Sequence, residues 1–278
     1  MFVVYRLEKF KRSACFGVGL ERNRDLHPER NFAKSSIDET QTQNNIVVDG
    51  KNERNFNLAV SQRIQKYGVK ERPDSTVFVG AVMTASADFF TKNPNYKEPP
   101  TDGREDTRTL LERRKYLFDE KAQSFFADCY RFYVQDVCKG NSDLIFSAKV
   151  DMDETTPHLQ IYSVPVISRT NKKGISKNHL SAKDVFGDRT TMRQRQDAIH
   201  EAIGKPRNFE RGQKVDWEQS KEERKRHEET HSFKVRKQRE ELEQLKTERS
   251  TISAELQDMK QEKLKHPLLR GSSLLIAI

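Results

Sequence analysis

The stretch that most constrains how this chain can fold is KVDMDETTPHLQIYSVP, residues 149–165. Just ahead of it, Asp143 to Val150 (DLIFSAKV) is rich in the β-branched and aromatic residues that suit a pleated, half-buried surface. Pro157 can open a second strand, because the first position of a strand needs no ladder N–H. The segment therefore reads as two strands joined by a polar turn. Side chains along a strand alternate with a period of two, so His158, Gln160 and Tyr162 share one face and Leu159 and Ile161 the other. Burying Leu159 and Ile161 gathers an imidazole and an amide on the opposite side. Asp151, Asp153 and Glu154, at the end of the first strand, reach the same place. Carboxylate, imidazole and amide oxygen together suit a hard or borderline divalent cation, Mg²⁺ or Mn²⁺, better than a thiolate-type zinc site does. The alternative is a polar hairpin with one exposed His, and the density of donors tips the balance towards a metal site.

Charged residues make up 33% of the 278 and hydrophobic ones 34%, too polar a mixture for packed core throughout. We expect a globular domain over residues 1–215 and a charged extension over 216–278, where Glu, Lys, Arg and Gln take over. In the extension, Leu242, Leu245, Ile252, Leu256 and Met259 fall on heptad a and d positions, with Arg249 breaking the seam. That pattern predicts a long solvated helix first and a coiled coil second, with a homodimer as its expected product. A net charge of +9 and a pI near 9.3 favour a polyanionic partner, nucleic acid ahead of an anionic membrane. No apolar run approaches the roughly 20 residues of a membrane span, and the start lacks a signal-peptide core. Cys15, Cys129 and Cys138 have no metal-type spacing and read as reduced thiols, so the expected location is cytoplasmic.

Along the rest of the chain, Phe2 to Leu7 is a strand candidate and Gly17-Val18-Gly19 a small-residue turn. Residues 20–45 show no sustained period and read as a loop or lid; loops that long are often functional. This one holds Glu21, Arg22, Arg24, His27 and Arg30, a mixture suited to gripping a phosphate. Asn57 to Tyr67 has helical spacing, and Thr76 to Thr84 (TVFVGAVMT) is apolar enough for a sheet centre. Asn93 to Gly103, with its prolines, predicts an exposed excursion. Arg108 to Val137 predicts a long helix or helix pair, whose aromatic row through Phe125, Phe126, Tyr130 and Tyr133 is core first. Tyr130 is also a candidate for contact with a nucleic-acid strand. Asn171-Lys172-Lys173-Gly174 is a basic turn, Leu180 to Val185 leads towards a helix, and Met192 to Ile203 is amphipathic with Arg193, Arg195 and His200 expected outside.

The run DETTPHLQ resembles the metal motif of the Mob/Pre family, plasmid mobilisation relaxases also called plasmid recombination enzymes, within the HUH endonucleases. The family form is His-x-Asp-Glu-x-x-Pro-His-x-His. Asp153, Glu154, Pro157 and His158 match it, Asp151 stands in place of the first His, and Gln160 in place of the last. Further similarity lies in Ile37-Asp38 with Thr42 and Asn45, in Thr84 to Phe90, in Phe125 to Tyr130, and in Phe209-Glu210-Arg211-Gly212.

The resemblance implies an α+β fold, an HUH-type antiparallel sheet packed with helices, ahead of the charged C-terminal helix. It implies a relaxase that nicks one strand of plasmid DNA at an origin of transfer, single-stranded or hairpin, through a covalent protein–DNA intermediate. Its Mn²⁺ or Mg²⁺ would be held by Asp151, His158 and Gln160, with Glu154 catalytic and Arg24 or Arg30 neutralising phosphate charge. Asn45, Ile46 and Tyr130 are the implied DNA contacts, a coupling protein a further expected partner, and the bacterial cytoplasm the location. The family nucleophile sits in an N-terminal His-x-x-Arg. Glu21 and Arg24 fall on that position by counting, whereas His27-Pro28-Glu29-Arg30 has its form slightly later, so His27 leads and Tyr5 follows. Two alternatives stay open: an origin-binding or regulatory protein that no longer nicks, and an oligomeric adaptor working through the C-terminal helix.

Overall fold

Five strands form one antiparallel sheet in the order β1-β3-β5-β4-β2, and its central strand begins at His158. The structure is a computed structural model that describes residues 1–26, 37–38, 42, 45–100, 104–212, 239, 242–243, 245–253, 255–257 and 259. The strands are β1 (Val3–Lys11), β2 (Ile46–Asn52), β3 (Thr76–Ala85), β4 (Ile145–Asp151) and β5 (His158–Ser163). A separate ribbon pairs β6 (Val166–Thr170) with β7 (Ser176–Leu180). The helices are α1 (Ala14–Arg22), α2 (Phe56–Lys66), α3 (Leu110–Arg113), α4 (Glu120–Asp136), α5 (Ala182–Phe186) and α6 (Arg189–Ile199).

Alternation along the strands divides the core in two. Tyr5, Val79, Ala81, Met83, Ala148, Val150, Leu159 and Ile161 face α4, whose Phe125, Phe126, Tyr130 and Tyr133 fill that side together with Ile199 and Ile203. The other face carries Phe78 and Phe146, packed with Phe56 and Val60 of α2, Cys15 of α1, and the partly buried Phe10 and Tyr162. The sheet is thus covered by helices on both sides, which is why β3 reads as an almost unbroken apolar run. Gly80 lies at the tightest point: a Cβ there would sit 2.8 Å from Tyr162 and 2.9 Å from Phe10.

Several sequence expectations change. Gly17 and Gly19 lie inside α1 rather than in a turn, and a Cβ on Gly19 would stand 3.4 Å from the Phe56 ring, so its absence allows α1 and α2 to approach. The expected loop from residue 20 starts as helix, because α1 runs to Arg22 and a 3₁₀ turn follows over Arg24–Leu26. The long helix expected from Arg108 is broken. Thr109 and Glu112 open the short α3 with a capping box, the chain leaves it at Arg114, Tyr116 bridges to Lys92 in extended conformation, and Asp119 starts α4 by accepting from the Ala122 N–H at 2.9 Å. Arg195 is buried, not exposed: it is ion-paired with Asp136 and donates from Nη2 to the Val185 carbonyl at 2.7 Å. His200 is half-buried, with Nε2 3.0 Å from the Phe209 carbonyl.

The chain divides into two units, Met1–Gln213 and Lys214–Ile278. In the second, the described residues are helical, and Leu242, Leu245, Ile252, Leu256 and Met259 are exposed. All three cysteines are free and buried. Among the described residues, no helix is long and apolar enough to cross a membrane.

Candidate metal centre

Asp151 ends β4, His158 opens β5, and the two are direct cross-strand partners. The turn between them is tied down from outside: the Met152 N–H donates to Asn45 Oδ1 at 2.8 Å, and the Asp38 N–H to the Asp153 carbonyl at 2.8 Å. Helix α1 runs back from β1 across the same face and ends beneath the turn, delivering Arg22 and then Arg24. Arg22 Nη1 lies 2.5 Å from both carboxylate oxygens of Asp151. Arg24 grips Asp153 with a fork, Nη2 to Oδ1 at 2.6 Å and Nε to Oδ2 at 3.1 Å, and also stands 3.7 Å from Glu154 and 3.8 Å from Asp151. Both arginines are buried, as are Asp151 and Asp153.

His158 Nδ1 faces the Thr156 carbonyl at 3.0 Å, a hydrogen bond that leaves Nε2 pointing into the cluster. Nε2 lies 3.4 Å from Asp151 Oδ2 and 4.0 Å from Glu154 Oε2. Asp151, Glu154 and His158 each offer one ligand atom, all within 4.8 Å of one another. Ligands about 2.1 Å from an octahedral cation are separated by roughly 3.0 Å when adjacent and 4.2 Å when opposite. The two measured separations are close to these values, and the chemistry of the donor set suits Mn²⁺ or Mg²⁺. Gln160 stands next to the set: its side-chain nitrogen is 3.1 Å from His158 Nε2, and its oxygen accepts from the Tyr162 hydroxyl at 3.1 Å. Turning that amide over would present its oxygen to the same point as His158 Nε2.

Charge balance agrees. Three carboxylates face two guanidinium groups, leaving one negative charge in excess before any cation binds. Burial by itself would raise the Asp151 carboxyl; Arg22, then His158 and Arg24, outweigh it and hold it far below the ordinary range. Glu154, with little compensation, is raised chiefly by burial. Burial would lower His158, but the neighbouring Asp151 and Glu154 raise it. Lys149, beside Gln160 on the same face, is pushed down to about 8 by burial and then by Arg22.

The structure therefore brings Asp151, Glu154, His158, Gln160 and Arg24 into one place. Arg24 is spent on Asp153 and is not open towards solvent. Asn45 holds the Met152 backbone, and Ile46 opens β2 opposite Val150, packed against the core. Tyr130 is buried, its hydroxyl donating to Asp49 at 2.6 Å, so its ring belongs to the core. Tyr5 is on the wrong side: it pairs with Met83 and through it with Leu159, facing α4, and its hydroxyl donates to Asp136 at 3.1 Å. His27 and Arg30 lie outside the described residues. Arg22 was expected to grip a phosphate and is instead the counter-charge of Asp151, a role with only an indirect signal, since an Asp placed where a buried imidazole is expected demands a cation. One neighbour escaped sequence reasoning. Arg6 lies in register with Val82 and Gln160 on the face of the centre, and is exposed.

Residues 114–235 match the family model of the plasmid recombination enzyme, Mob_Pre. No curated protein matches the chain. Among solved structures, the Mn-bound MobM relaxase domain (MOBV; Mob_Pre) with 22 nucleotides of plasmid pMV158 oriT DNA at pH 4.6 is 19% identical. It covers 84% of this chain and 100% of that one, with a TM-score of 0.56. The Mn-bound form at pH 6.8, with a 3′-thiophosphate on the DNA, is 18% identical and covers 84% and 98%, with a TM-score of 0.57. The chain is thus similar to the plasmid recombination enzymes in sequence over residues 114–235, and it shares the fold of the MobM relaxase domain across most of its length.

Proposed function

We propose that this protein is a plasmid mobilisation relaxase that makes a metal-dependent, strand-specific nick at an origin of transfer. The observation that carries the reading is the Asp151–Glu154–His158 cluster, set in a fold shared with a domain that binds both Mn and oriT DNA. Asp151 and His158 hold the cation, with Gln160 as the amide ligand, and Glu154, the most exposed of the acids in the cluster, lies at its mouth. The bound ion supplies Lewis-acid polarisation of the scissile phosphate. The protein's own groups do the rest. The Thr156 carbonyl fixes the His158 ring, Arg22 and Arg24 hold the acidic turn in place, and Arg6 is available to a phosphate on the same face. His27 is the proposed nucleophile, followed by Arg30. The lone pair of a neutral imidazole nitrogen bonds to phosphorus, and the P–O3′ bond breaks with its electron pair going to the 3′ oxygen. That oxygen takes a proton from solvent, and the phosphorylated imidazole gives up its N–H proton to solvent. The 5′-phosphate stays on the enzyme until the reverse attack reseals the strand.

DNA contacts by Tyr130 and Ile46 would require the core around them to open, and Asn45 acts by positioning the turn. The C-terminal helix is the proposed dimer contact, a coupling protein a proposed partner, and the bacterial cytoplasm the proposed location. A second reading, an origin-binding protein that does not nick, is favoured by one observation: Arg22 already occupies both oxygens of Asp151. Incubating supercoiled origin plasmid with the protein and Mn²⁺ separates the two. Relaxed circles with a protein–DNA adduct, lost in His158→Ala while DNA binding persists, support the relaxase; binding without nicking under Mn²⁺ and Mg²⁺ supports the second reading.

A further inference from the structure

Between β3 and α4 the chain makes an excursion whose two arms, residues 91–98 and 106–117, are laced together. The Leu117 N–H donates to the Thr91 carbonyl at 2.9 Å, the Asn93 N–H to that of Lys115 at 3.0 Å, and the Lys97 N–H to that of Glu112 at 2.8 Å. Asn93 Nδ2 adds the Arg114 carbonyl at 2.8 Å. Arg108 belongs to the second arm, yet its side chain is only 7% exposed. All three of its nitrogens are engaged. Nε and Nη2 fork Asp106 at 2.8 and 2.7 Å, and Nη1 donates to the Lys97 carbonyl at 2.8 Å. Arg113 braces the same bend, donating to the carbonyls of Asp106 and Arg108 at 3.2 and 3.0 Å.

From this clasp Nη2 reaches a second carboxylate, Asp38 Oδ2, 3.4 Å away and 70 residues distant in the chain. Asp106 already satisfies the fork, so the contact adds little to Arg108. What it adds is to Asp38, whose backbone N–H donates to the Asp153 carbonyl at 2.8 Å. The turn that carries Asp151, Asp153 and Glu154 is therefore held at two successive residues. At Met152 the holder is Asn45, which leads directly into β2 and so into the sheet. At Asp153 it is Asp38, tied to the excursion through Arg108. The bland alternative is an ion-pair network that steadies the excursion and nothing else. That accounts for Arg108 with Asp106, but not for the reach to a residue whose backbone is bonded to the acidic turn.

We infer that Arg108 is a positioning residue of the metal centre, acting through Asp38 to fix the backbone between the ligands Asp151 and Glu154. The inference rests on the reading of Asp151, Glu154 and His158 as a divalent-cation site. Asp153 lies between the two acids, so a shift of its carbonyl displaces both carboxylates relative to His158 Nε2. Arg24 moves with it, because its fork grips the Asp153 side chain and the same guanidinium stands 3.7 Å from Glu154. Groups that orient metal ligands from outside carry about 10–100-fold in affinity, and Arg108 acts one link further out, so about tenfold is expected.

The test uses the full chain and two readouts: Mn²⁺ affinity from the electron paramagnetic resonance of the free ion, and amide hydrogen exchange without metal. Arg108→Met and Asp38→Ala, which keeps the backbone N–H, should each weaken Mn²⁺ binding about tenfold. The double variant should be no weaker than the worse single one, because both changes cut the same tie. Arg169→Gln, which breaks the ion pair with Asp184 on the β6–β7 ribbon, should leave the affinity unchanged. In Arg108→Met the amides of residues 151–154 should exchange about tenfold faster, while those of β3 and α4 stay as they are. Mn²⁺ affinity within about twofold of the parent chain, additive losses, or an equal loss in Arg169→Gln each overturn the inference. So does faster exchange throughout β3 and α4, which would mark general destabilisation. A parent chain that binds no Mn²⁺ overturns the metal reading instead. The exchange readout then decides alone: acceleration confined to residues 151–154 upholds the tie from Arg108 to the turn, and unchanged exchange ends it.

Discussion

Replacing Asp151 with Asn removes the charge on which Arg22 depends. Arg22 has its Nη1 on Asp151, while its Nε and Nη2 are buried with no hydrogen-bond partner. In Asp151→Asn the guanidinium therefore keeps its charge with no anion in contact, a situation that costs about 3–5 kcal/mol. The reciprocal change is milder. In Arg22→Met the Asp151 carboxylate still has His158 at 3.4 Å and Arg24 at 3.8 Å, so about 1–3 kcal/mol is expected. The double variant should cost less than the sum, because the second change removes the group stranded by the first. Urea unfolding in EDTA at 10 °C measures all three, since a loss of about 5 kcal/mol approaches the whole stability of a small domain. Mn²⁺ then discriminates further. In Arg22→Met a divalent ion can replace the lost cation and restore about 2.7 kcal/mol at a concentration one hundred times its dissociation constant. In Asp151→Asn it should restore far less. An Arg22→Met cost equal to or above that of Asp151→Asn, or additivity within about 0.5 kcal/mol, would refute this account of the pair.

Gly80→Ala forces a methyl against Tyr162 and Phe10, and should cost about 1–3 kcal/mol, read as a fall in melting temperature of several degrees without loss of secondary structure. Burial pushes the Cys138 thiol up to about 12 and Cys129 higher still, so neither should react with a disulfide reagent at pH 8 until the protein unfolds. Asp119 caps α4, and its carboxyl is held low, first by the Thr91 hydroxyl and then by the Ala122 N–H. Its contribution is therefore complete above the ordinary value near 3.9 and is lost as pH falls below it. Asp119→Ala should cost about 1 kcal/mol at pH 7 and nearly nothing at pH 2, measured by denaturant unfolding at both.

The hairpin at the centre was legible because its information is local. A period of two places His158, Gln160 and Tyr162 together whatever the rest of the chain does, and Leu159 and Ile161 supply the reason to bury the other face. The apolar run of β3 announced a strand in the same way. Misreadings occurred where a local signal competed with packing. Two glycines that resemble a turn sit in α1 because Phe56 needs the space, and Arg195, polar on a helix that looked exposed, is drawn in by Asp136.

What the amino-acid sequence determined by itself, then, is a set of faces and donors: a strand pair with acids at its turn, an aromatic helix, a basic turn, a charged extension. What only the tertiary structure decided is which charge meets which. Arg22 and Arg24 reach Asp151 and Asp153 across 129 residues because α1 runs back over the sheet, and Tyr5 is turned away from His158 by strand order and register. Periodicity acts between neighbours in the chain, whereas electrostatic pairing acts between neighbours in space. The sheet must be assembled before the second kind of neighbour exists.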